Sequence, residues 1–278
     1  VTARCIWRSP RRAVPQSTRC IGPPSHPTSK FCTRRVSGLS TIQAITLSSY
    51  VIRTETTSKP FITPSAEGMP AMDDDAAFAA IADERRKLAD DVAGLTTEQW
   101  DTPSLCAAWT CRDVVAHLVV PLTVSIPAFG LAMIKARGNF DRANLAMTAK
   151  VGERYRDRLP KLLRDKADKR FTPPGYGPSA PLTDIVVHGL DIRRPLGMPT
   201  GVDAERQRAV LDFLTSPKAR GIFSTVGDQV CWRATDIDWT AGRGPVIEGA
   251  AESLMLVLTG RRVGAEEIGG EGVSILKR

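Results

Sequence analysis

After residue 68 the chain has two histidines, His117 and His188, and each lies in a run of apolar residues with helical spacing. Asp184 precedes His188 by four residues, so on a helix the two side chains share one face. Two imidazoles and a carboxylate are a sufficient ligand set for a divalent metal that keeps one position open. A water entering that position would lose its proton near neutral pH. Plainer readings compete. A lone buried histidine usually finds a backbone carbonyl. Asp184 follows Pro181 and Thr183 and would serve as an acid at a helix N-terminus. His188 would pack among Ile185, Val187 and Ile192. The metal reading gains because both histidines sit on apolar faces: a fold that buries both must satisfy two imidazoles, and one shared ion does so. Asp191, one turn after His188, either orients that ring by accepting its N–H or pairs with an arginine at the helix end. Asp113 belongs to the helix start, because Thr110-Cys111-Arg112-Asp113 has the form of a capping box.

Helices must position these residues. Phe78, Ile81, Leu88, Val92 and Leu95 recur with helical period after the acidic start Asp73-Asp74-Asp75. A second helix starts at Thr110 and runs past His117, with Pro121 expected to kink or break it. Helical stretches follow over 125–135, 140–155, 160–167 and 182–192, the last preceded by a Pro/Gly-rich loop. After Pro199 the character changes. A helix over 203–214 precedes strands at 230–236, 237–240 and 245–249 and a helix over 250–259, with Val273–Leu276 expected as a last edge strand. The order is helical first, then a small mixed α+β module. The expected domains are 72–199 and 200–278.

The bulk composition is globular, with 42% hydrophobic and 24% charged residues. The net charge of +8 resides in residues 1–68, which hold ten Lys/Arg and two Asp/Glu; the remainder has 28 of each and is neutral. A neutral folded part gives no reason to expect a nucleic-acid partner. No apolar run reaches the roughly 18 residues of a membrane span, so no membrane partner is expected either. Cys106, Cys111 and Cys231 match no metal-binding spacing and read as isolated thiols in a reducing, cytoplasmic setting. Residues 1–68 are rich in Arg, Ser, Thr and Pro, a composition shared by transit peptides and by translated non-coding sequence. They are expected to be a disordered basic segment without a role, one that need not belong to the natural product.

The runs Trp109–Leu118 and Asp184–Gly197, in that order, resemble the mycothiol-dependent maleylpyruvate isomerase family of actinobacteria. Gly242-Arg243-Gly244-Pro245-Val246 and Leu258-Thr259-Gly260-Arg261 resemble that family's C-terminal portion. The resemblance extends from about residue 72 to the end. It implies a DinB-like four-helix bundle followed by a small α+β C-terminal module. It also implies a site for zinc or another divalent metal, with His117 as first ligand, His188 as third, and Asp184 where the family typically carries Glu. Mycothiol would be the thiol cosubstrate and a small electrophile the substrate, in an isomerisation or a thiol transfer. Arg261 matches an arginine held to act on substrate; otherwise it is a cation at the helix C-terminus beside Gly260. The alternative is a non-catalytic metal-binding or ligand-binding module on the same fold.

Overall fold

A computed structural model describes residues 72–106, 108–173, 175–220, 229–262 and 266–276. The expectation for residues 1–68 lies outside them. The protein is mainly helical, a helical bundle joined to a small α+β module.

Four long helices carry the bundle: α1 (Asp74–Ala93), α3 (Cys111–Thr123), α5 (Phe140–Arg154) and α7 (Ser179–Arg193). Between them lie the short α2 (Thr97–Trp100), α4 (Ile126–Lys135) and α6 (Leu159–Asp165). Their starts are written locally. Asp73 accepts from Ala76 N at 2.7 Å and caps α1. Thr110 Oγ1 accepts from Asp113 N at 3.2 Å while Asp113 Oδ2 accepts from Thr110 N at 3.0 Å, a complete capping box for α3. Thr110→Ala is expected to destabilise the protein by about 1 kcal/mol, measured by chemical denaturation. Pro121 does not break α3. The helix continues to Thr123, and Lys169 Nζ donates to the free carbonyls of Pro121 and Leu122 at 3.1 and 3.0 Å.

Helix α3 is central. It packs on α5, α6 and α7, and α1 closes over α6 and α7. Val114, Val115, Leu118 and Val119 from α3 meet Ile81, Leu88 and Val92 from α1 and Ile185, Val186 and Val187 from α7 in one apolar core. Helix α8 (Ala204–Thr215), followed by the short α9 (Pro217–Arg220), packs on α7 and on α10 (Ala251–Leu258), so the core runs on under the C-terminal sheet.

That sheet has the order β2-β1-β3. Strand β1 (Cys231–Ala234) pairs antiparallel with β2 (Thr240–Gly242) and parallel with β3 (Val246–Gly249). Trp232 and Ile247 point inward as partners in register. Gly242 is required where β2 ends: its φ is +86°, and a Cβ would stand 2.3 Å from the Val230 carbonyl oxygen.

Three expectations are corrected. Val273–Leu276 is a helical turn, α11, not an edge strand. The free edge of β3 is already paired, because Glu248 exchanges backbone bonds with Gly269 and Gly272 N donates to Val246 O. Residues 237–239 lie in the connection before β2, and Asp236 turns aside to accept from Ala251 N at 2.8 Å. Cys106 is disulfide-bonded, leaving Cys111 and Cys231 as the free thiols among the described residues; spacing alone does not reveal a pairing. No helix among the described residues is long and apolar enough to cross a membrane.

Candidate metal centre

Helices α3 and α7 lie against each other and bring His117, Asp184 and His188 together. One potential ligand atom from each lies within 4.8 Å of the others. His117 Nε2 is 3.5 Å and His188 Nε2 3.7 Å from the same Asp184 Oδ1. Helix α7 begins at Ser179, so Asp184 stands in its second turn and caps nothing. The His117 and His188 side chains are 5% and 0% exposed, whereas Asp184 retains 16%. The carboxylate side is therefore where the cluster meets solvent.

The polar bookkeeping of this cluster is open. Both ring nitrogens of His117, Nε2 of His188 and Oδ1 of Asp184 are buried without a hydrogen-bond partner. Buried polar atoms left unsatisfied cost about 1–3 kcal/mol each. Three of these atoms converge, and their types are those that bind divalent ions. The residues present therefore fit such an ion.

His188 is held from behind. Its Nδ1 donates to Asp191 Oδ2 at 2.8 Å, which leaves the Nε2 lone pair facing Asp184. Asp191 is itself fully buried and gripped by Arg261, whose Nε and Nη2 donate to its two oxygens at 3.0 and 2.6 Å. The orienting role read for Asp191 is realised; the pairing with an arginine of its own helix end is not, because its arginine comes from the C-terminal module. Arg193 instead pairs with Asp91, and Arg194 with Glu267. Gly260, at φ +82°, ends α10 in a tight turn with Arg261 N donating to Leu256 O at 2.8 Å. That turn sends the Arg261 guanidinium inward, where Nη1 also donates to Thr259 O at 2.9 Å. Cys106, His188 and Asp191 also converge, but the disulfide at Cys106 and the bonds at Asp191 already occupy that group.

Two neighbours were not singled out from the sequence. Trp109 packs its ring on both imidazoles, with centroids 5.1 Å from His117 and 6.2 Å from His188. Its signal was present: it directly precedes the Thr110 cap, where an apolar residue commonly packs onto the first turn of the helix. Arg85 of α1 clamps the Ala167 and Lys169 carbonyls at 2.8 Å each, and its charge acts on Asp184. No local pattern marks it.

Burial opposes the Asp184 charge, but His117, His188 and Arg85 hold its pKa below the usual carboxylate range. Burial likewise opposes the Asp191 charge, and Arg261 and His188 hold its pKa down. For His188 burial prevails over the nearby carboxylates and lowers the pKa from 6.5. The unfolded ring thus takes up a proton that the folded ring refuses. Stability from this group is complete above about pH 6.5 and is lost as the pH falls through the folded pKa. The metal-free protein is expected to lose up to about 1.4 kcal/mol per pH unit in that window. Urea titrations at about pH 7.5 and about pH 5.5 check this, with His188→Gln flattening the difference.

Residues 81–124, from α1 through the His117 helix, match the family model described as the mycothiol maleylpyruvate isomerase N-terminal domain. The resemblance read from the sequence is thereby supported over that stretch. No curated protein matches the chain. Among solved structures, the crystal structure of the mycothiol-dependent maleylpyruvate isomerase aligns over 73% of this chain and 93% of that one, at 12% identity and a TM-score of 0.45. A mutant of that isomerase with one histidine replaced by alanine aligns over the same shares, at 13% identity and a TM-score of 0.41.

Proposed function

We propose that the protein is a divalent-metal-dependent enzyme in which His117, Asp184 and His188 hold the ion, with zinc the first candidate. It would use a small thiol, mycothiol or one like it, to isomerise a small electrophile or to transfer the thiol to it. The observation that carries this reading is the convergence of three buried, unpartnered ligand-type atoms, His117 Nε2, His188 Nε2 and Asp184 Oδ1. The family match over the His117 helix supports it. When bound, the ion supplies a lowered thiol pKa at neutral pH.

The chain's own residues do the rest. Asp191 fixes the orientation of His188, and Arg261 keeps Asp191 ionised and aimed. Arg261 is thus proposed to act through Asp191, with its guanidinium wholly buried. Trp109 covers the two rings and keeps water off them, while the partly open Asp184 side admits the ligand. Residues 72–199 would form the metal-binding bundle, and 200–278 the module that delivers Arg261. A thiol cosubstrate calls for a cytoplasmic setting, where the free thiols of Cys111 and Cys231 are at home and the Cys106 disulfide is the exception.

The test is metal content of the purified protein by mass spectrometry, followed by turnover of maleylpyruvate with and without added thiol. One zinc per chain and thiol-dependent turnover are expected. Because Trp109 lies against His117 and stacks on His188, zinc addition to stripped protein is also expected to change tryptophan fluorescence, and Trp109→Phe to remove that change. One zinc without turnover on any thiol and electrophile pair would leave a non-catalytic metal-binding module. No zinc in the folded protein would overturn the site.

A further inference from the structure

The neutrality of the chain beyond residue 68 conceals an uneven distribution. Residues 135–170 hold twelve Lys/Arg and five Asp/Glu, a net charge of +7. Some of these cations are paired, as Lys161 with Asp165 and Arg170 with Asp75. Arg154, Arg158, Lys166 and Lys169 have no carboxylate partner among the described residues. These four line one groove of about 540 Å³ together with Ser125 and Tyr155, and no acidic residue lines it. Lys169 is anchored there by the Pro121 and Leu122 carbonyls. Partial burial, with Lys166 and Arg85 nearby, pushes its pKa down.

Ser125 of that groove is also the N-cap of α4. This ten-residue helix rests on the core only through half-buried side chains such as Phe129 and Ala132, and none of its residues is fully buried. Ile126, Leu131 and Ile134 are 84%, 53% and 75% exposed. Single exposed aliphatic residues are ordinary. Here three stand on one short apolar helix, with the four groove cations at its start and Lys135 and Arg137 at its end. Apolar side chains flanked by cations are what an anionic membrane surface binds: the chains enter the headgroup boundary and the cations meet lipid phosphates.

We propose that α4 and the adjoining basic groove form a docking surface for an anionic lipid bilayer. Ile126, Leu131 and Ile134 insert, and Arg154, Arg158, Lys166 and Lys169 engage the headgroups. Charge argues against a second copy on this face, because a two-fold contact would oppose two strongly basic segments. A nucleic acid would use the cations and leave three aliphatic chains in water. The inference is independent of the metal centre.

The test is co-sedimentation of the full chain with vesicles of phosphatidylglycerol and phosphatidylcholine, against vesicles of phosphatidylcholine alone. Binding only to the anionic vesicles is expected, falling as salt rises from about 0.05 to about 0.5 M. Ile126→Gln with Ile134→Gln, and separately Arg154→Glu with Arg158→Glu, are each expected to weaken it about tenfold while circular dichroism is unchanged. Four outcomes overturn the proposal. Failure of anionic vesicles to pellet the protein is the first. Binding of both double variants as tight as the parent's would assign it to the basic residues 1–68. Weakening by the arginine variant alone would leave an anion site without insertion. A dimer abolished by the isoleucine variant would show a second copy covering α4.

Discussion

His117→Ala and His188→Ala are each expected to abolish stoichiometric metal binding. Loss of an outer hydrogen-bond partner already costs metal sites about 10–100-fold in affinity, and loss of one of three ligands costs more. The folded state should survive both changes. His117 makes no side-chain hydrogen bond, so truncating it leaves no partner stranded. In His188→Ala the Asp191–Arg261 pair remains intact. Metal content by mass spectrometry, with circular dichroism as the control for folding, reads this directly. One metal per chain retained in both variants would sink the assignment of these residues.

Arg261→Met is expected to destabilise the protein by about 3–5 kcal/mol, because it strands a fully buried carboxylate. For a folded unit of this size each kcal/mol lowers Tm by about 2–4 °C, so a loss of roughly 10 °C follows. Asp191→Asn is expected to act differently. It keeps an acceptor for His188 but removes the charge that Arg261 faces, and metal affinity should fall about 10–100-fold. The double variant Arg261→Met with Asp191→Asn should recover part of the stability lost in Arg261→Met, since no unpaired charge remains. If Arg261→Met shifts stability by under about 1 kcal/mol and leaves metal affinity unchanged, Arg261 does not position His188 through Asp191. A fall in turnover without either change would instead restore the reading in which it meets substrate.

Much of the architecture follows from local sequence. Thr110 and Asp113 sit at capping-box spacing, and the structure shows both bonds. The apolar period after Asp73 yields α1, and the helical-then-mixed order of elements is the order observed. Asp184, His188 and Asp191 share a face because an α-helix repeats every 3.6 residues, so their spacing already joined a ligand pair to an orienting acid. Non-local pairing left no such trace. His117 reaches Asp184 only because α3 packs on α7. Arg261 reaches Asp191 only because Gly260 turns the chain inward under the sheet. Val273–Leu276 has strand composition, yet the edge it would have joined was already taken by Gly269 and Gly272. Charge was legible as a total and illegible as a surface, since the sum beyond residue 68 is zero while four cations without a carboxylate partner among the described residues gather in one groove. Periodicity and capping act within a few residues and are fixed by backbone geometry. Which faces meet, which charges are left unpaired and which edges stay open depend on packing between distant segments, and only the tertiary structure decides them.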